Sequence, residues 1–334
     1  MDDVLLKRAE EALERRCIRE AIALFEQAES CGCQADSCAG GRWLCHMLNG
    51  DFERAWCESE AIARRGNPDP NRFWNGQPLT GKRVLIRCLH GLGDTIQFIR
   101  YAPLVGDIAR AVFIEAQPNL KALLAASDLA DHVFTWGEPE PAWDAQVEVI
   151  ELPRIFRTTI ETIPNRVPYL HPPRRERAGY PRIGVLWNAS NYNPARSIPP
   201  ALVRPLFSLE NADVFSLQAG PERLDLDVPS LYEERHTLLE TASIVQALDL
   251  VITVDTMMAH LAGALAVPVW TMLPYAADWR WMLGRADSPW YPRMRLFRQP
   301  APGDWQTVIE QVRAEMRRYF AAGDRVNRSV IAAS

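Results

Sequence analysis

No stretch of this 334-residue chain is both long enough and apolar enough to cross a bilayer. Near the carboxyl end, the apolar run from Leu261 to Leu273 is interrupted by Pro268 and falls short of the roughly 20 residues that a spanning helix needs. The acidic start Met1-Asp2-Asp3 is unlike the basic start of a secretory leader, so the chain reads as cytoplasmic with no transmembrane segment. Positive charge is also scarce, with 37 Lys and Arg against 42 Asp and Glu and a net charge of −5. Nucleic acid is therefore excluded as the expected partner, because phosphate-backbone binders draw their affinity from a positive field. Paired Cys-x-x-Cys spacing is missing as well. Six of the seven cysteines (Cys17, Cys31, Cys33, Cys38, Cys45, Cys57) crowd the amino-terminal segment, but without zinc-ribbon spacing they read as small, reduced, buried apolar side chains, with no metal.

What is present divides into three segments. Residues 1–66 are rich in Ala, Leu, Glu and Arg and free of proline, which predicts helices. Cys17-Ile-Arg-Glu-Ala21-Ile aligns with Asp51-Phe-Glu-Arg-Ala55-Trp, an offset that matches the tetratricopeptide period. Small residues such as Ala21 and Ala55 let paired helices approach closely. Two such repeats fall below the usual minimum of about three for a free-standing solenoid, so this block is expected to lean on its neighbour. A Pro- and Gly-rich connector at 67–81 follows, then an alternating strand and helix segment at 82–171, a second connector at 172–181, a further such segment at 182–321, and a tail at 322–334.

Strands are predicted at Val84–Arg87, Ala111–Glu115, His132–Thr135 and Val147–Leu152, with helices from Thr95 and Asn119, and in the second segment at Arg182–Trp187, Asp213–Leu217, Leu250–Val254, Val269–Met272 and Met294–Phe297. Strands alternating with helices imply two parallel, Rossmann-like α/β halves facing across a cleft, with two or three cores. Asp304 is placed to cap a final amphipathic helix. Five of the eleven tryptophans lie between Trp270 and Trp305 and are expected to pack the closing segment.

Three constellations stand at strand ends. Gly91-Leu92-Gly93-Asp94 follows the first apolar strand, where ligands of open α/β sheets bind. It lacks the third glycine of a dinucleotide fingerprint and the Gly-Lys-Ser/Thr of a P-loop. Two readings are open for it: a tight turn with Asp94 as a helix cap, or a cleft carboxylate able to take a proton from a hydroxyl. Asp255-Thr256-Met257-Met258-Ala259-His260 again ends an apolar strand at a helix start, where the N–H groups of Thr256 to Met258 suit a diphosphate. His260 is either a packed structural residue or a ligand contact. Arg196, in a polar loop after the first strand of the second half, is either a solvated charge or a phosphate clamp.

Together these blocks resemble a known family. Pro78-Leu79-Thr80-Gly81-Lys82, Gly91 to Tyr101, Arg196-Ser197-Ile198-Pro199, Phe215-Ser216-Leu217-Gln218, Val254 to Ala262, Asp278 to Leu283 and Ser288 to Pro292 look like the tetratricopeptide-linked branch of glycosyltransferase family 9, which includes heptosyltransferases. The resemblance covers about residues 70 to 320. It implies a GT-B fold, with acceptor bound mainly by the first Rossmann-like domain and nucleotide sugar mainly by the second. It implies that Asp94 is the general base, that Asp255, Thr256, Met257, Met258 and His260 surround the donor, and that Arg196 neutralises the departing phosphate. It further implies inversion at the anomeric carbon, no cofactor and no metal. The formal Asp-x-Asp at Asp225-Leu226-Asp227 reads as a loop. This chain departs from the pattern at Met257, where the heptosyltransferases carry glycine, and at His90 and Ala219. The implied partners are a nucleotide sugar, a glycan, lipid-linked or protein acceptor, and a protein bound through the helical repeats. A second reading, from a different class, is a scaffold built on a decayed transferase fold.

Overall fold

A computed structural model describes residues 2–66, 73–176, 179–189, 193–220, 226–233 and 235–321. Parts of both expected connectors, Asp225 and the tail at 322–334 lie outside the described residues.

The amino-terminal segment forms four helices, α1 (Asp2–Glu14), α2 (Ile18–Ser30), α3 (Ala35–Leu48) and α4 (Phe52–Gly66). The starts of α2 and α4, Ile18 and Phe52, stand one tetratricopeptide period apart, and Ala21 and Ala55 are both fully buried. These helices carry a small apolar cluster of their own, built on residues such as Ala9, Ala12, Phe25 and Leu48.

The next segment supplies β1 (Arg83–Arg87), α5 (Leu92–Phe98), α6 (Ala102–Gly106), β2 (Ala111–Ala116), α7 (Pro118–Ala125), β3 (His132–Thr135), β4 (Ala145–Glu148) and α8 (Leu152–Ile155). Its four strands are parallel, in the order β3-β2-β1-β4, with Val84 opposite both Val112 and Ala145. Two expectations shift. Helix α5 begins at Leu92 rather than Thr95. The fourth strand ends at Glu148, and Val149 to Glu151 turn as a 3₁₀ helix into α8. The reason is local: the Glu148 carboxylate accepts the Ile150 N–H at 2.7 Å, and Pro153 in the first turn of α8 suits a helix start better than a ladder.

The third segment supplies β5 (Arg182–Leu186), α9 (Pro200–Val203), β6 (Asp213–Ser216), α10 (Leu238–Gln246), β7 (Leu250–Val254), α11 (Met257–Ala264), β8 (Val269–Leu273), β9 (Met294–Arg298) and α12 (Trp305–Ala321). Its five strands are parallel, in the order β6-β5-β7-β8-β9. Strands β7 and β8 are buried along their whole length, as expected for a sheet covered on both faces. Asp304 caps α12, accepting the Thr307 N–H at 3.0 Å.

The cores are not partitioned by segment. One continuous buried cluster runs from Met47, Phe52 and Trp56 of the helical region through β1 and β2 to β5, β7 and α12. The helical region does lean on its neighbours, through aromatic rings: Phe52 stacks on Trp290 at 6.1 Å, and Trp43 meets Trp279 edge-on at 5.5 Å. The cysteine expectation holds only in part, since Cys38 and Cys45 are buried while Cys17, Cys31 and Cys57 are exposed. No helix among the described residues is long and apolar enough to cross a membrane.

Candidate active site

In both sheets the direction of strand addition reverses once, at β1/β4 and at β5/β7, and an open α/β sheet forms its binding crevice at that reversal, outside the carboxyl ends of the strands. The turn after β1 carries His90 to Asp94, β4 leads to Glu151, the loop after β5 carries Arg196, and β7 ends at Asp255. All of these residues line a single cavity of about 900 Å³ between the two sheets.

Asp94 occupies the third position of α5, not the cap. Its carboxylate accepts the Gly91 N–H at 3.0 Å and a hydrogen bond from Arg280 Nη2 across the cleft. Arg280 sits on the 3₁₀ turn Trp279–Trp281 and also donates from Nη1 to Asp278 at 2.9 Å. Burial works against its charge, but Asp278 and Asp94 outweigh burial and hold it cationic. Its guanidinium lies over the rings of Trp279 at 4.9 Å and Phe98 at 5.4 Å.

Gly93 is where the two halves touch. A Cβ there would come within 3.0 Å of His260 Cδ2 and 3.5 Å of the Met257 Cα, so a side chain at 93 would push α5 off α11. His260 is fixed on its other sides, stacked on Trp281 at 5.3 Å and bonded through Nδ1 to the Tyr291 hydroxyl at 3.0 Å. Tyr291 reaches it because its ring lies against Gly263, where any Cβ would overlap the ring. Burial, and then the positive charges of Arg280, Arg100 and Arg196, hold the imidazole well below its ordinary pKa. It is a neutral side chain at the cavity wall.

Arg196 donates from Nη1 to the Asp255 carbonyl at 3.1 Å and stands 3.9 Å from the Asp255 carboxylate. Its Nε is buried without a partner. Asp255 is 5 % exposed, and burial, reinforced by the charge of Asp278, pushes its pKa up to about 6. Thr256 caps α11, accepting the Met258 N–H at 3.2 Å on its hydroxyl. That contact occupies one of the three N–H groups expected to face a ligand. The Met258 side chain is buried and does not line the cavity, whereas Thr256, Met257 and His260 do.

Sequence reasoning missed four contributors. Arg280 had its signal in the Asp-Trp-Arg-Trp run, but a charge flanked by tryptophans is indistinguishable in sequence from a packed snorkelling arginine. Arg100 is buried and binds the Tyr169 hydroxyl at 2.9 Å and the Trp290 carbonyl, which pins the first half to the second. Trp43 and Ser59 of the helical region complete the cavity wall. Of the five late tryptophans, Trp270, Trp281, Trp290 and Trp305 are core residues, while Trp279 is half-buried and faces the cavity.

Comparison with known proteins agrees with this architecture. No protein-family profile matches the chain. It is 27% identical over 295 residues to Protein FlbA of Caulobacter vibrioides, covering 76% of this chain and 49% of FlbA. The chain thus spans about half the length of that curated relative. A glycosyl transferase family 9 structure from Veillonella parvula superposes with a TM-score of 0.57 at 12% identity, over 75% of this chain and 100% of that one. Escherichia coli ADP-heptose LPS heptosyltransferase II gives 0.51 at 13% identity, over 71% and 99%. TibC from enterotoxigenic E. coli, an iron-containing dodecameric glycosyltransferase, gives 0.51 at 14% identity, over 69% and 66%. The chain has the two-sheet α/β fold of these family 9 structures, preceded by a helical region.

Proposed function

We propose that the chain is an inverting, metal-independent glycosyltransferase that moves a sugar from a nucleotide-diphospho-sugar to a hydroxyl of a glycan, lipid-linked or protein acceptor. One observation carries this reading: Asp94 from one half, and Arg196, Asp255 and Thr256 from the other, open onto the same cavity of about 900 Å³. Small-molecule sites run from about 300 to 1,000 Å³, so this one has room for a nucleotide sugar.

In this reading the acceptor oxygen attacks the anomeric carbon while its proton passes to the Asp94 carboxylate. The bond from that carbon to the diphosphate oxygen breaks, and negative charge grows on the leaving group. Arg196, oriented through the Asp255 carbonyl, and the amino end of α11 stabilise that charge at the point where it develops. His260, being neutral, contributes a hydrogen bond to the sugar and not a charge to the phosphate. An ADP-linked sugar is the leading donor class, because heptosyltransferase II, one of the superposing structures, is described by its ADP-heptose donor. Met257 lines the cavity beside Thr256 and shapes the donor pocket. Trp43 and Ser59 make the helical region a wall of the acceptor side.

The test is release of nucleoside diphosphate from a panel of ADP-, UDP- and GDP-sugars, with and without hydroxyl acceptors. Release that depends on acceptor and on Asp94 supports the proposal. Absence of binding to every nucleotide, with a stable protein partner instead, favours the scaffold reading.

A further inference from the structure

Arg280 is claimed by two carboxylates that differ in one respect. Asp278 belongs to the same turn and moves with it, whereas Asp94 belongs to the other half of the molecule. Only the second pairing can part without unfolding the turn. Both Asp94 oxygens are engaged, Oδ2 by the Gly91 N–H and Oδ1 by Arg280, so each already accepts a hydrogen bond from the protein. Meanwhile the Arg280 Nε is buried without a partner, leaving one donor of the fork unspent beside the cavity. The guanidinium also lies against the rings of Trp279 and Phe98, which keep it beside the cavity.

A diphosphate entering this cavity meets two cations already engaged, Arg196 with Asp255 and Arg280 with Asp278 and Asp94. Its charge and its several acceptor oxygens outcompete a single carboxylate for a planar fork of donors. We propose that Arg280 is a donor-released latch: it holds Asp94 while the cavity lacks nucleotide, and it turns to the diphosphate when the donor binds, freeing Asp94 to accept the acceptor's proton. The inference rests on the function proposed above and adds an order to it, with donor before proton transfer. Arg280 is then a positioning residue for the base as well as a contact of the leaving group.

Titration calorimetry with ADP on the full chain tests the latch without any acceptor, with UDP and GDP as further arms. The proteins are wild type, Asp94→Asn, Arg280→Gln and the double variant. With Arg280 present, Asp94→Asn is expected to tighten nucleotide binding about tenfold, a coupling of the size seen between residues in contact. Arg280→Gln weakens binding by a similar factor, and in that background Asp94→Asn has no further effect. Equal tightening in both backgrounds would show simple charge repulsion and overturn the latch, as would no tightening at all. Should Arg280→Gln fail to fold, Arg280→Lys keeps the charge without the fork, and the tenfold effect of Asp94→Asn is expected to fall below about threefold. Wild type that binds none of the three nucleotides overturns the proposed function and the latch together, while binding without coupling overturns the latch alone.

Discussion

The carboxylate of Asp94 and the guanidinium of Arg280 meet across the cleft although 186 residues separate them in the chain. That contact ties the first sheet's glycine turn to the second sheet's tryptophan-rich turn. It brings the proposed base to a cation of the half that carries the proposed diphosphate contacts.

Replacing Asp94 with alanine is expected to lower turnover by about 10²- to 10⁴-fold, the usual cost of losing a general base. Nucleotide binding should persist and tighten, because the carboxylate holds Arg280 and not the diphosphate. Steady-state kinetics alongside calorimetry check both halves; full turnover in the variant removes Asp94 from the mechanism.

Asp255 makes stability depend on pH. Its folded pKa of about 6 lies above the ordinary carboxyl value of about 3.9. Below about pH 4 both folded and unfolded states hold the proton and its burial costs nothing. Between about 4 and 6 the unfolded state ionises first, so stability falls as pH rises through the folded pKa. Asp255→Asn escapes that loss and is expected to be more stable than wild type at pH 7 by about 1–3 kcal/mol, with the gain vanishing below about pH 4. Urea unfolding across this range checks it; a gain independent of pH contradicts it.

Gly93→Ala drives a methyl group against His260, whose ring cannot retreat because Trp281 and Tyr291 hold it. The cost expected for such overpacking is about 1–3 kcal/mol. Denaturant midpoints measure it, and trimming the obstacle with His260→Ala in the Gly93→Ala background should recover part of the loss. An unchanged midpoint in the single variant would mean that the halves do not meet at this glycine.

The helical region is structural to the site. Phe52 is 2 % exposed and lies between Trp56, Trp279 and Trp290. Phe52→Ala is expected to cost about 3–5 kcal/mol and to melt both halves in one transition. Calorimetric scans that show a separate, early transition of the helical region alone would contradict this.

Among the described residues, eight strands and the parallel sheets were legible in the sequence, because buried parallel strands read as apolar runs closed by turn residues, and the fourth strand was foreseen only at Val147 and Glu148. The end of β4 was not. Val149 and Ile150 look like strand residues, and the side-chain bond from Glu148, with Pro153 beyond it, turns them. Asp94, Asp255 and Thr256 were visible because they stand close after apolar runs, and Arg196 only through the resemblance of its loop to the family. Arg280 and Trp43 were not, since each reaches the cavity from a distant segment, and no local spacing encodes a contact across 186 residues. The helices showed their tetratricopeptide period, but not that their aromatic rings would close the cavity.

A crystal structure of the full chain soaked with an intact nucleotide-diphospho-sugar tests the central claim most directly. The diphosphate is expected between Arg196, Arg280 and the amino end of α11, with the anomeric carbon turned toward Asp94. Nucleotide bound on any other surface, or a sugar facing away from Asp94, would contradict it.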